Sequence, residues 1–248
     1  MQLQRFFELN PRIAVAYSGG VDSSYLLYAA KAAGCDVQAY LLKSQFQPRF
    51  ELDDAVDITG DIGVALIVDE FDILNEPEVV KNPPDRCYYC KTKIFGRLWE
   101  LARKDGYIFL CDGTNADDDE SDRPGMRALR ELGVLSPLRD SGLSKSEIRR
   151  LSEQAGLRTH NKPSYACLAT RIPAGTKITS QHLEKIEGTE KALANMGFSD
   201  FRVRFLPPNG AKIQVTDNQW DIAATQRKEI LTVLKPFFDS IVLDLVCR

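Results

Sequence analysis

The chain has 248 residues, 44% of them hydrophobic, enough for one large buried core or two modest ones. Its 32 Lys and Arg against 35 Asp and Glu leave a net charge of −3, which excludes a general attraction to nucleic acid while leaving room for a local basic patch. His160 and His182 are its only histidines, so acyl or phosphate chemistry carried by backbone amides, carboxylates or cysteines is expected in place of imidazole catalysis.

The opening MQLQRFFELNPR lacks the apolar centre of a signal peptide, and no apolar run approaches the ~20 residues of a membrane span. A cytoplasmic location and no membrane partner are therefore expected. RIAVAY (12–17) reads as a short buried strand, followed by SGGVDSS (18–24) and an amphipathic helix over 21–33 that stops at Gly34. DVQAYLLK (36–43), VALIVD (64–69) and YIFLC (107–111) read as further strands, with helical patterns at about 51–61 and 91–105 between them. This alternation predicts an α/β fold: a parallel sheet covered by helices on both faces, with ligands at the carboxyl ends of the strands. Ser144-Lys145-Ser146-Glu147 is a capping box that starts a helix over 145–155, and Gly156 ends it.

After Pro163 the texture changes. A helical pattern over 180–196 leads to FRVRFL (201–206), the turn Pro207-Pro208-Asn209-Gly210, and AKIQVT (211–216), which together read as a hairpin. A last helix and the strand SIVLDLV (240–246) follow. The expected division is a nucleotide-binding domain over 1–172 and a smaller α+β domain over 173–248.

SGGVDSS lies between a buried strand and a helix. Gly19 and Gly20 let the backbone turn sharply and bring amide hydrogens close to a ligand, Ser18, Ser23 and Ser24 add hydroxyls, and the helix N-terminus adds partial positive charge. A phosphate or pyrophosphate fits there. Neither GxxxxGK[ST] nor GxGxxG is present, so neither a Walker-type loop nor a dinucleotide fold is supported. The stretch resembles the pyrophosphate loop (PP-loop) of the ATP pyrophosphatases, which split ATP between its α and β phosphates and attach AMP to a substrate oxygen. The resemblance makes Asp22 the loop acid, acting near Mg²⁺, and ATP the nucleotide. Lys43, at the end of its strand, is also a candidate contact.

Further motifs narrow the resemblance. DRCYYCK (85–91), DGTNADD (112–118), RPGMRALRELGVLSPL (123–138), KSEIRRLSEQAGL (145–157) and KPSYACLATRIPAGTKIT (162–179) occur in the order seen in LarE. That family inserts sulfur into the pyridinium biscarboxylate mononucleotide precursor of a nickel pincer cofactor. A carboxylate is a poor electrophile; adenylation gives it a leaving group that a sulfur nucleophile can replace. Cys167 is the candidate for handling that sulfur, with Arg171 four residues on to favour a thiolate; its bland alternative is a buried small hydrophobe. Asp112 and Asn115 follow a strand at its ligand-binding end, where an Asx turn with Thr114 is an equal reading to a contact. Asp117 to Glu120 is an acidic run of the kind usually solvated, and Arg123 and Arg127 either meet phosphates or pair with those acids. Arg202 and Arg204 alternate onto one face of their strand; the resemblance favours a substrate phosphate over a solvated face. It also makes Glu190 and Asp221 candidate metal ligands, whereas Gln214 departs from the family's usual glutamate and puts a second metal site in doubt. A hexamer is implied by the resemblance alone.

In a reducing compartment a CxxC pair is better read as a metal, cluster or redox site than as a disulfide. Two routes to sulfur are open. In one, Cys167 attacks the acyl adenylate and loses its own sulfur, leaving dehydroalanine. In the other, Cys87, Cys90 and Cys167 hold a [4Fe-4S] cluster whose fourth iron carries a sulfide, recharged by a sulfur donor. LarE proteins of the sacrificial type lack the CxxC pair. A Cys₃His zinc site with His160 and uncoordinated thiols are the alternatives. Cys111 reads as core, while Cys35 and Cys247 have no partner in sequence. The competing functions are a tRNA thiolase and a zinc-stiffened, non-catalytic nucleotide-binding module.

Overall fold

The computed structural model describes residues 2–118 and 124–248. Arg123, Asp119 and Glu120, singled out above, lie outside the described residues. In chain order the elements are α1 (Leu3–Leu9), β1 (Arg12–Ala16), α2 (Val21–Ala32), β2 (Asp36–Lys43), α3 (Arg49–Ile62), β3 (Leu66–Glu70), α4 (Pro77–Val80), α5 (Arg86–Lys104), β4 (Leu110–Cys111), α6 (Pro124–Glu131), α7 (Pro137–Asp140) and α8 (Lys145–Gln154). Then come α9 (Ser180–Asn195), β5 (Arg202–Leu206), β6 (Gly210–Gln214), α10 (Asp217–Thr225), α11 (Arg227–Leu234) and β7 (Ser240–Leu243). Two compact units result, one of residues 1–72 and 85–165, the other of 73–84 and 166–248.

The first unit is a parallel sheet in the order β3-β2-β1-β4. Because side chains alternate across a strand, β1 and β2 send successive residues to opposite faces, and both faces are buried. Ile13, Val15, Ala39 and Leu41 pack with Leu26, Leu27 and Ala30 of α2, Ala55 and Ile58 of α3, and Ile148 of α8. Ala14, Tyr40 and Leu42 pack on the other face with Leu98, Trp99 and Ala102 of α5 and Met126 and Leu129 of α6. The sheet is thus the middle layer of three. Each fully buried Val, Leu, Ile or Met among them contributes about 1.5–3 kcal/mol of transfer free energy, which is why the apolar runs were legible as strands.

Two boundaries differ most from the sequence reading, and one expected boundary signal is met. YIFLC pairs only at its end: β4 is two residues long, and its register is extended by the Phe109 carbonyl, which accepts from Ala14 N at 2.9 Å, and by a bridge from Cys111 to Leu135. The helix expected from about 91 begins at Arg86, so both cysteines of DRCYYCK lie inside its first two turns. The capping box of α8 is formed, Ser144 Oγ accepting from Glu147 N and the Glu147 carboxylate accepting from Ser144 N.

In the second unit β5 and β6 form the expected antiparallel hairpin, and β7 adds to β6 in parallel. Val203, Phe205, Ala211 and Ile213 of this sheet and Leu183, Ile186 and Leu193 of α9 are buried, and α9 packs against β5. Residues 73–84 are tied in by Asn82, 1% exposed, whose side-chain amide donates to the carbonyls of Ile172, Pro173 and Thr176 at 3.3, 2.8 and 3.2 Å. Among the described residues no helix is long and apolar enough to cross a membrane.

Candidate active site

In the first unit the loop after β1 is held by its own short side chains. Gly19 adopts φ +73°, where an L side chain is strained, and a Cβ there would stand 3.3 Å from Ala55 Cβ and 3.4 Å from the Glu51 carbonyl. Ser23 Oγ and Ser24 Oγ donate to the Gly20 carbonyl at 3.3 and 2.8 Å, and Ser18 Oγ lies 3.1 Å from Ser23 Oγ. Tyr17 Oη shares a 3.1 Å hydrogen bond with Ser24 Oγ, and burial pushes its phenol up to about 12, so it stays protonated. Gly20 caps α2, leaving the first amides of a twelve-residue helix at the loop.

Two lysines that the sequence reading did not select meet this loop. Lys145, the first residue of α8, reaches Asp22 Oδ2 at 2.6 Å, and Lys162 Nζ donates to the Gly19 carbonyl at 3.2 Å and to Asp54 Oδ2 at 2.7 Å. Asp22 Oδ1 is buried without a hydrogen-bond partner. An orphaned carboxylate oxygen beside a phosphate-type loop suits a hard cation arriving with a nucleotide, which is the donor chemistry Mg²⁺ requires.

The DGTN loop lies against the same helix end. A Cβ on Gly113 would stand 2.9 Å from Ser23 N, so only glycine allows that approach. Asp112, 5% exposed, is committed locally: it accepts from Thr114 N at 3.2 Å, from Thr114 Oγ1 at 2.5 Å and from Ser136 Oγ at 2.8 Å. Asn115 is likewise part of a turn, its Oδ1 accepting from Asp117 N at 2.9 Å. Both residues build the loop that Gly113 brings to Ser23. Lys43, at the carboxyl end of β2, sits 3.5 Å from Glu70.

Cys87 and Cys90 lie three apart at the start of α5, which puts both thiols on one helix face. Cys87 is exposed and Cys90 partly so; Arg86 Nη2 lies 3.9 Å from Cys87 Sγ. Arg127 stacks 3.9 Å over the Tyr88 ring and pairs with Glu131 at 3.8 Å, while Tyr88 donates to Glu131 at 2.6 Å. Arg127 thus pairs with Glu131, an acid outside the acidic run 117–120 expected for it.

In the second unit Cys167 is partly exposed and precedes the 3-10 turn Leu168–Arg171; its carbonyl accepts from Thr170 N and Oγ1 at 3.0 and 2.7 Å. Arg171, 1% exposed, clasps Glu190 at 2.8 and 3.2 Å and donates to the Ala166 carbonyl at 3.0 Å and to Thr170 Oγ1 at 2.9 Å. Glu190 Oε1 also accepts from Val203 N at 2.9 Å. This buried ion pair braces the Cys167 turn between α9 and β5. Arg204 donates to the Thr170 carbonyl at 3.0 Å and to Gln214 Oε1, and Arg202 to the Phe201 carbonyl at 2.7 Å. Burial, with Arg171 and Arg248 close by, holds both the Arg202 and Arg204 guanidiniums below the usual arginine range. Such crowding of positive charge is relieved by an anion. Asp221 is exposed on α10.

Of the six cysteines Cys111 is buried and the other five are partly or fully exposed. Burial raises the thiol of Cys35, and that of Cys111 well above the ordinary range in the core, as expected for that strand residue; Cys247 is also raised, by desolvation and by Asp217. Cys87 and Cys90, on one helix face, are thiols of the kind that ligate iron or zinc. Among the described residues no group of three or more His, Cys, Asp or Glu side chains is arranged as a metal site.

No family model matches the chain. It is 35% identical over 218 residues to an uncharacterized protein of Synechocystis sp., covering 88% of this chain and 81% of that one. It is 31% identical over 237 residues to an uncharacterized protein of Methanocaldococcus jannaschii, covering 95% and 90%. Over 196 residues it is 32% identical to the pyridinium-3,5-bisthiocarboxylic acid mononucleotide synthase of Lactiplantibacillus plantarum, covering 78% of this chain and 71% of that enzyme. With the loop, the parallel sheet and the second small sheet unit in hand, the chain belongs to the pyridinium-3,5-bisthiocarboxylic acid mononucleotide synthase family, LarE.

Proposed function

We propose that the chain is an ATP-dependent sulfur transferase that converts a carboxylate of pyridinium-3,5-biscarboxylic acid mononucleotide into a thiocarboxylate, in biosynthesis of a nickel pincer cofactor. The observation that carries this reading is the Ser18–Ser24 loop at the N-terminus of α2, with the orphaned Asp22 oxygen beside it, in a chain 32% identical to a synthase of that name.

In the proposed reaction the substrate carboxylate oxygen attacks the α-phosphorus of ATP, the bond to the β-phosphate breaks, and pyrophosphate leaves. The acyl adenylate then accepts sulfide at its carbonyl carbon and releases AMP, so one ATP is consumed per oxygen replaced by sulfur. The Gly19 and Gly20 region and the hydroxyls of Ser18, Ser23 and Ser24 bind the phosphates, and Asp22 holds Mg²⁺ against them. Lys43 serves as a further nucleotide contact, and Asp112 and Asn115 shape the wall beside it. Arg202 and Arg204 bind the substrate phosphate, with Arg171 and Glu190 as the brace behind them. Glu190, bonded to Arg171 and to Val203 N, serves this brace in place of the second metal site expected of it with Asp221.

For the sulfur we propose a [4Fe-4S] cluster held by Cys87, Cys90 and Cys167. When bound, such a group would supply exogenous sulfide to the acyl adenylate. The presence of the CxxC pair in addition to Cys167 supports this over sacrifice of Cys167. The net charge of −3 weighs against a tRNA substrate. The test is release of AMP and pyrophosphate from ATP by the full chain, with and without the dicarboxylate mononucleotide. AMP formation that requires the mononucleotide is expected; hydrolysis to ADP, or AMP formation indifferent to it, sinks the reading.

A further inference from the structure

We propose that Lys162 is a phosphate-binding residue of the loop and that Asp54 is its exchangeable counter-ion when no nucleotide is bound, an inference that rests on the ATP-binding reading above. Lys162 Nζ lies 3.2 Å from the Gly19 carbonyl and 2.7 Å from Asp54 Oδ2. Its side chain is 17% exposed and that of Asp54 47%. A largely desolvated ammonium is therefore one hydrogen bond from the backbone of an anion-binding loop, and its carboxylate partner is half in water.

A tether to the chain around residue 160 is the plain alternative, but that segment is already anchored. Arg149 donates to the His160 and Lys162 carbonyls at 2.6 and 2.8 Å, and Arg158 pairs with Asp61 at 3.0 Å. The backbone of Lys162 is thus held without its ammonium. An ion pair with a half-exposed partner contributes little to stability, so exchanging Asp54 for a phosphate oxygen costs little. A phosphate bound by the loop amides offers more charge and a charge-assisted hydrogen bond to a lysine already in place. Asp54 then turns to solvent, where half of its surface already lies.

The experiment is calorimetric titration of the full chain with Mg-ATP and with inorganic pyrophosphate, alongside melting temperatures. Lys162→Met is expected to weaken both ligands about tenfold or more, and Lys162→Arg to restore most of that loss. Asp54→Asn, which frees the ammonium of its competitor, is expected to tighten both severalfold. Pyrophosphate binding by Lys162→Met within about twofold of native, or Asp54→Asn binding no tighter than native, overturns the proposal. If the native chain binds neither ligand, the ATP reading itself falls; if native binds both and Lys162→Met binds equally well, only the assignment of Lys162 falls.

Discussion

The phosphate loop of the first unit and the arginine group of the second both point to anions, yet they are made of opposite materials. The loop uses glycines, serines and the end of α2, so its affinity resides in backbone geometry. The arginine group uses long side chains held by Glu190, Gln214 and main-chain carbonyls, so its affinity resides in charge that burial has already made uncomfortable. The first should fail when shape is disturbed and the second when charge is removed.

The largest effect is therefore expected from a single methyl group. Gly113→Ala would push a Cβ to 2.9 Å from the Ser23 amide nitrogen, a backbone atom that cannot step aside alone. Overpacking of this kind costs about 1–3 kcal/mol, and displacing the loop by about an ångström lowers mononucleotide-dependent AMP release roughly 100-fold. AMP release and a melting curve check it; near-native turnover would contradict the shape argument. Next in size is Arg204→Met, expected to raise KM for the mononucleotide about tenfold or more with KM for ATP unchanged. A loss falling on ATP would break the comparison.

Gln214→Glu sharpens it further. Gln214 bridges Arg204 and Asp244, donating to the latter at 2.8 Å. A carboxylate there would neutralise part of the guanidinium charge, and a rise in mononucleotide KM of about threefold is expected from steady-state kinetics. The smallest effect concerns acid. Lys212, Gln214 and the Val246 amide hold the Asp244 carboxyl down at about 2. A depressed folded-state value means stabilisation present above the unfolded carboxylate range, near 4, and lost as pH falls from there through about 2. Asp244→Asn should remove that part of the acid dependence, read as a shallower fall in melting temperature between those pH values.

The fold was legible wherever burial is two-sided. RIAVAY and DVQAYLLK put alternate residues on both faces of the sheet, and continuous apolar runs report that directly. YIFLC misled in length because it carries the same composition at the sheet edge, where only Leu110 and Cys111 pair as a strand. The start of α5 was missed because Cys-Tyr-Tyr-Cys has weak helical propensity and Asp85 makes no side-chain cap; packing of the helix against α6 and the sheet supplies what local signals lack. The loop itself was readable, since glycine and serine after a strand have few other uses. Lys145, Lys162 and Gly113 were not. Lys145 and Lys162 are brought to the loop from 123 and 143 positions away, and no local pattern encodes such closure. Gly113 was inside a quoted motif, and a glycine between Asp112 and Thr114 could have suggested a close backbone approach.

The most direct test of the sulfur proposal is anaerobic reconstitution with iron and sulfide, followed by multiple-turnover reaction with Mg-ATP, the mononucleotide and excess sulfide. About four irons per native chain, lost alike in Cys87→Ala, Cys90→Ala and Cys167→Ala, together with more than one sulfur transferred per chain and an intact Cys167 by mass spectrometry, is the predicted result. Iron retained in Cys87→Ala, or one sulfur per chain with dehydroalanine at Cys167, would contradict it.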